Sequence, residues 1–235
     1  NRIIAADRIA KKYLLQYNMT GKQVKKMTGM NSDKFNIIVV SGPSGSGKST
    51  LVNRLLSEAQ DIAFSVSHTT RPKRDNEING KHYYFVSETK FKEMIANSEF
   101  IEWAEVYRQF YGTSLAEIER KASAGKNLVL DVDVQGAGNI KTKFPHALLI
   151  FIAPPNLQEL KKRLLEREKR SGRDIENRLN NVKKELENYC LYDYIVINDK
   201  LEEAYAVLKS IYTAFNHSRT KKKQVIEKMI TNSEI

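Results

Sequence analysis

The chain has 235 residues, 41% of them hydrophobic and 29% charged, enough to bury a core as one domain with inserted pieces. It has no apolar run near the roughly 18 residues of a membrane span, and its single Cys190 excludes an internal disulfide framework and suits a reducing compartment. A net charge of +11 calls for anionic partners: nucleic acid, an anionic membrane surface, or two phosphorylated nucleotides held at once.

Residues 1–33 read as a basic extension. Arg2, Arg8, Lys11, Lys12, Lys22, Lys25 and Lys26 stand there against only Asp7 and Asp33, and Ile3, Ile4, Ile9, Leu14 and Leu15 suit one amphipathic helix. A targeting presequence, an upstream extension and a packed helix all fit this pattern. Phe35–Val40 is a β-branched apolar run that predicts a buried strand. Gly42-Pro43-Ser44-Gly45-Ser46-Gly47-Lys48-Ser49 follows at once and fits the G-x-x-x-x-G-K-[ST] phosphate-binding pattern, with Thr50 extending it. Leu51, Val52, Leu55 and Leu56 then recur at helical spacing. Strand, glycine-rich loop and helix together form a nucleoside triphosphate site, with backbone N–H groups at a helix start facing phosphate. Lys48 is placed to reach the β- and γ-phosphates, and the Ser49 hydroxyl to bind Mg²⁺.

Between about 64 and 115 the rhythm changes. Short strand-like pieces (Phe64–Ser67, Tyr83–Val86) and a helix over Glu88–Ala96 predict an inserted α+β subdomain. Asn127–Asp133, Ala147–Ile152 and Tyr194–Ile197 read as three more buried strands separated by helical patterns, so the core is an α/β parallel sheet covered on both faces. Pro154-Pro155 ends the third of the core strands. Asn156 and Glu159 form a capping pair for a helix whose Leu157, Leu160 and Leu164 face inward, and whose Arg163 and Arg167 share one face. Arg219 and Lys221–Lys223 begin a basic tail over 219–235, for which solvated charge is the simplest reading.

Two further features carry chemistry. Asp131 and Asp133 lie at the carboxyl end of a strand, where open α/β sheets bind ligands. Thr69-Thr70-Arg71-Pro72-Lys73-Arg74 puts two guanidinium forks three residues apart, suited to phosphate oxygens. His68, His82, His146 and His217 have no metal-ligand spacing.

Phe64–Ser67, Thr69–Arg71, Arg74, Glu77, Asn79-Gly80, Tyr83, Phe100–Trp103, Tyr111–Thr113, Leu130–Gly136 and Phe151–Pro155 fall in the order and spacing of the guanylate kinase family. The chain resembles that family from about residue 35 to about 215. The resemblance implies a P-loop nucleoside monophosphate kinase fold with core segments 34–63, 116–155 and 181–218, a GMP-binding subdomain over 64–115 and a helical lid over 156–180. It implies transfer of the γ-phosphoryl group of ATP to GMP, with Mg²⁺, and leaves dGMP open as a further acceptor. Arg71, Arg74, Tyr83 and Tyr111 would hold the GMP phosphate, and Ser67, Glu102 and Thr113 would read guanine with help from Asp133. Asp131 would serve the metal or phosphate side. Arg163, Arg167 and Arg178 match the lid arginines that cover ATP, and Asn198 matches the adenine-side loop. A carboxylate such as Glu102 accepts the N1–H and N2–H₂ donors of guanine, whereas adenine presents an acceptor there.

Two departures stand out. Glu168 replaces a glycine common in the family after the arginine matched by Arg167, and Arg170 and Arg173 enrich the lid. The rival readings are a catalytically silent scaffold module, against which Lys48, Ser49 and Arg178 speak, and nucleic-acid binding through the basic ends. The expectation is a kinase without a specific nucleic-acid or membrane partner, monomeric or homodimeric. The cytoplasm is the expected compartment, with organelle targeting by residues 1–30 left open.

Overall fold

The computed structural model describes residues 36–106, 108–168 and 175–231. Five strands make a wholly parallel sheet in the order β2-β7-β1-β8-β9: β1 Ile37–Ser41, β2 Ile62–Phe64, β7 Asn127–Asp131, β8 Leu148–Ala153 and β9 Tyr194–Ile197. The central strands are apolar at every position because both faces are covered. Ile38 and Val40 of β1 pack with Leu51, Val52 and Leu55 of helix α1 (Lys48–Glu58) and with Leu208 and Tyr212 of the helix Leu201–Asn216. Ile37 and Val39 face the other way, onto Leu115 and Ile118 of α3 (Leu115–Ala122) and Ala137 and Ile140 of α4 (Val134–Lys143). Helices on both faces of a parallel sheet are the predicted α/β architecture.

A second sheet of order β4-β3-β6-β5 contains β3 His68–Thr69, β4 Tyr84–Phe85, β5 Phe100–Val106 and β6 Gln109–Ser114. Here the sequence reading needs adjustment. Phe64 ends β2 and pairs with Val129 in the main sheet, so of the run Phe64–Ser67 only Phe64 is strand, and Ser65–Ser67 lead to the second sheet. Helix α2 occupies Glu88–Ala96, with Ser87 Oγ accepting from Lys90 N as its N-cap. It packs Phe91 against Phe100 and Phe110, at ring separations of 4.4 and 5.4 Å. That cluster is the separate small core under β5 and β6.

The chain then runs through α5 (Leu157–Glu168) and α6 (Ile175–Glu187) to β9, then α7 (Leu201–Asn216) and α8 (Arg219–Thr231). Asn156 Oδ1 accepts from Glu159 N at 2.8 Å, the predicted cap of α5. Leu160 and Leu164 are buried against Val182 of α6, whereas Leu157 is 48% exposed and is not a core residue. The amphipathic helix expected near the N-terminus lies outside the described residues, as do Arg170 and Arg173 and the side chains of Arg167, Glu168 and Arg178.

Phe91→Ala should remove the keystone of the small core and lower unfolding stability by about 3–5 kcal/mol, measurable by urea titration followed at Trp103.

Candidate active site

All five parallel strands point their carboxyl ends to one edge, and the phosphate loop begins there as β1 ends. Gly42, Gly45 and Gly47 have φ of 137°, 88° and 90°, a region that strains any side chain. A Cβ on Gly42 would drive into the Ile152 carbonyl oxygen, and one on Gly47 into the Asn198 amide. Gly47 is the N-cap of α1 and offers no side-chain acceptor, and the first turn carries no acid. The N–H groups of Lys48, Ser49 and Thr50 therefore open toward the cleft as an anion site. Lys48 Nζ donates to the carbonyls of Gly42 (2.6 Å) and Pro43 (3.3 Å), arching over the loop. Ser44 and Gly45 also line the cleft, while Pro43 and Ser46 are buried beneath it.

Asn198, just after β9, is buried and donates from Nδ2 to the Ser46 carbonyl at 2.7 Å. Its own carbonyl accepts from Arg163 Nη1 at 3.1 Å, and Arg163 Nε is held by Glu159 at 3.0 Å. One asparagine thus links the phosphate loop to α5. The Asn198 side chain braces the loop, a role more specific than membership of an adenine-side segment.

Asp131 ends β7 directly opposite Val40 in register, beside the phosphate loop. Burial pushes its carboxyl up and the nearby Lys48 charge pulls it back. Asp133 caps α4, accepting from Gly136 N at 2.8 Å. Burial also pushes its carboxyl up, against hydrogen bonds from Gly136 and Gln135.

The second sheet supplies the facing wall. Arg71 follows β3 and makes a two-pronged pair with Glu77, Nη2–Oε1 at 2.6 Å and Nη1–Oε2 at 3.0 Å, while Nη1 also donates to the Pro72 carbonyl at 2.7 Å. Three of its five N–H bonds are engaged, and the Nε–H with the outer Nη2–H forms a second fork of phosphate shape. Glu77 also accepts from Arg74 N at 2.8 Å, so one carboxylate shapes the whole basic loop. Tyr83 lies 6.0 Å from Tyr111 and 5.5 Å beneath the Arg71 guanidinium. Burial raises the Tyr83 phenol to about 12, so it stays a hydrogen-bond donor at neutral pH.

Glu102 on β5 is 4% exposed. Burial pushes its carboxyl up to about 7, with Thr113 hydrogen bonds and Lys143 lowering it and Asp133 raising it. Thr113 and Ser67 hydroxyls lie 3.3 Å apart beside it. Gly136 of α4 lies against this carboxylate: a Cβ there would sit 2.8 Å from Glu102 Oε2 and displace it.

A single cleft of about 900 Å³ joins these walls. It is lined by the phosphate loop and Lys48, by Ser67, Arg71, Arg74, Tyr83, Glu102 and Tyr111, and by Asp131, Asp133 and Arg163. Glu77 stands in a family motif that predicts no task for it, and two other carboxylates carry no signal in the sequence. Glu185 of α6 lines the cleft, and burial pushes its carboxyl up against the field of Lys48. Glu117 of α3 is buried and takes donors from Val66 N (3.2 Å), Tyr84 Oη (3.3 Å) and Arg120 Nη2 (2.6 Å). In sequence each is an ordinary helical glutamate. Only the tertiary fold distinguishes them.

The Glu102 environment makes a stability prediction. Its carboxyl sits at about 7 in the folded chain against an ordinary 4.5, so the protonated form is the one the fold prefers. That stability is complete below about 4.5 and is lost as pH rises through about 7. Between pH 4.5 and 8 the stability of the wild-type chain relative to Glu102→Gln should fall by on the order of 3 kcal/mol in urea titrations. A difference independent of pH would contradict the burial of an ionisable Glu102.

The family model described as "Guanylate kinase" matches residues 34–215 of the chain. The guanylate kinase of Neisseria gonorrhoeae is 42% identical over 200 residues, covering 85% of this chain and 98% of that protein. That of Syntrophomonas wolfei is 44% identical over 178 residues, covering 76% and 91%. The crystal structure of guanylate kinase from Anaplasma phagocytophilum superposes with a TM-score of 0.70 at 31% identity, over 88% of this chain and 99% of that one. With the phosphate loop, the basic loop of the second sheet and Glu102 facing one cleft, the chain belongs to the guanylate kinase family.

Proposed function

We propose that the chain transfers the γ-phosphoryl group of ATP to GMP, giving ADP and GDP. The observation that carries this reading is the single cleft between a triphosphate loop and an opposed set of Arg71, Arg74, Tyr83 and Tyr111, with Glu102 beyond it. The phosphate loop holds the triphosphate with N–H groups that include those of Lys48, Ser49 and Thr50, and Lys48 Nζ leaves the loop carbonyls for the phosphate oxygens. The free fork of Arg71, with Arg74 and the Tyr83 and Tyr111 hydroxyls, fixes the GMP phosphate. Glu77 keeps Arg71 pre-aimed, so little side-chain entropy is lost on binding. Glu102 accepts from guanine N1–H and N2–H₂, Ser67 and Thr113 donate to O6, and Asp133 keeps the α4 end in place. None of these contacts uses the ribose 2′-hydroxyl, so dGMP fits the same site.

A GMP phosphate oxygen attacks the γ-phosphorus as the bond to the β–γ bridging oxygen breaks. That oxygen is already anionic, so no protein base is needed, and the protein's task is alignment and charge stabilisation. Arg163, Arg167 and Arg178 on the lid helices neutralise the equatorial oxygens in this reading, and α5 and α6 close to exclude water. The Ser49 hydroxyl and the Asp131 carboxylate are hard oxygen donors beside the phosphate loop, which suits Mg²⁺ held by few protein ligands plus phosphate oxygens and water. When bound, Mg²⁺ would supply neutralisation of phosphate charge.

The reading includes a division into core segments 34–63, 116–155 and 181–218, acceptor subdomain 64–115 and lid 156–180, flanked by basic ends 1–33 and 219–235. It also includes action as a monomer or homodimer in the cytoplasm, without a specific nucleic-acid partner. No helix among the described residues is long and apolar enough to cross a membrane.

Glu102→Gln replaces one of the two guanine acceptors by a donor. In an ADP-release assay its kcat/KM for GMP should fall by about 10²-fold or more, while KM for ATP changes by less than about twofold. Unchanged GMP kinetics would remove Glu102 from base recognition.

A further inference from the structure

Helix α4 links the two sheets. Asp133 caps its start, and its first turn lies against Glu102 at Gly136. Gly136 and Lys143 are seven residues apart, two turns, so they share the face of α4 that packs on β5. Helical side chains lean toward the N-terminus, which carries the Lys143 stem back along that face. Its ammonium group donates to the carbonyl of Ile101, in the peptide immediately before Glu102. Ile101 itself is fully buried, so the carbonyl that receives this cation belongs to the joint between the sheets.

Lys143 is half-buried, which costs a charged ammonium hydration, and a solvent-facing lysine would serve α4 as well. Its location has a use when the groups facing Glu102 are compared. Asp133 of α4 opposes ionisation of Glu102, while Thr113 of β6 and Lys143 of α4 favour it. Burial lowers the Lys143 ammonium and the Glu102 charge raises it again, so each ionised form supports the other. The ammonium is engaged by the Ile101 carbonyl and acts on Glu102 through space.

We propose that Lys143 is a positioning and specificity residue, the half-buried counter-charge that favours the ionised form of Glu102 while it accepts from a guanine base. The proposal rests on the reading that Glu102 accepts the guanine N1–H and N2–H₂ donors. A protonated Glu102 would turn an O–H toward one of those donors, so GMP affinity falls as Glu102 gains its proton. Removing the Lys143 charge moves that loss to higher pH.

The test is steady-state kinetics of the full chain from pH 5.5 to 9, comparing wild type, Lys143→Met and Lys143→Arg, with Glu102→Gln alongside. Lys143→Met should raise KM for GMP about fivefold at pH 7 and move the pH at which KM climbs upward by about one unit. KM for ATP should change by less than about twofold, and Lys143→Arg should restore the wild-type profile. The second ionisation of the GMP phosphate is common to all variants and cancels in the comparison. If Lys143→Met does not fold, Lys143→Gln, which keeps a donor without charge, should give the same shift. A GMP profile unmoved in Lys143→Met, or a KM rise without a shifted midpoint, would overturn the proposal while Glu102→Gln still loses GMP use. If Glu102→Gln also keeps GMP use, the guanine reading itself is at fault, and the proposal falls with it.

Discussion

A parallel sheet ends all its strands at one edge, and the phosphate-loop side of the site depends on that constraint. The phosphate loop leaves β1 there, Asp131 closes β7 and Asn198 follows β9. The loop can lie so close to its neighbours only because Gly42 and Gly47 have no side chain to meet the Ile152 carbonyl and the Asn198 amide. Asn198 in turn holds Ser46 and receives Arg163, so the position of the lid helix α5 is tied to the same edge. A shift of the loop would be felt at α5 through one residue.

The acceptor side obeys a different constraint, the cost of burying charge. Three carboxylates are used for three purposes. Glu77 is paired with Arg71, so its charge is stabilised and holds the carboxyl below its ordinary value. Glu117 collects donors from β2–β3, β4 and α3 and fixes the second sheet to the first. Glu102 has the hydroxyl and backbone N–H of Thr113 and a displaced counter-charge, and it is left near the midpoint of its titration at neutral pH. A carboxylate with spare acceptor capacity in a buried cleft is what a base with two adjacent donors requires. The difference between Glu77 and Glu102 is therefore one of completed against incomplete pairing.

Much of this was legible in the sequence because it rests on local chemistry. Strand β9 falls where its pattern puts it, although it is an edge strand with Tyr194, Ile195 and Ile197 exposed and not the buried strand its apolar run predicts. Gly42–Ser49 stands between an apolar run and a helical pattern, and the α2 helix falls where its pattern puts it. The cap at Asn156 was visible for the same reason. Long-range pairing was not. Phe64 joins the main sheet through Val129, sixty-five residues on, and its neighbours give no sign of that. Glu117 and Lys143 read as helix-surface residues until the packing of α3 and α4 against the two sheets is known. Leu157 fits the apolar spacing of α5 but stands at its solvent-facing start. Arg71 and Arg74 were recognisable as a phosphate loop, while the Glu77 that aims them lacked any local signature beyond its motif position.

The central claim is that one cleft holds ATP against a phosphate-and-guanine site, so that the acceptor is chosen by its base. The most direct measurement is ADP release by the full chain with GMP, AMP, CMP and UMP as acceptors at equal concentration. GMP should be phosphorylated with a kcat/KM about 10³-fold or more above that of AMP, because adenine leaves Glu102 facing an acceptor. Equal turnover of AMP and GMP would contradict it.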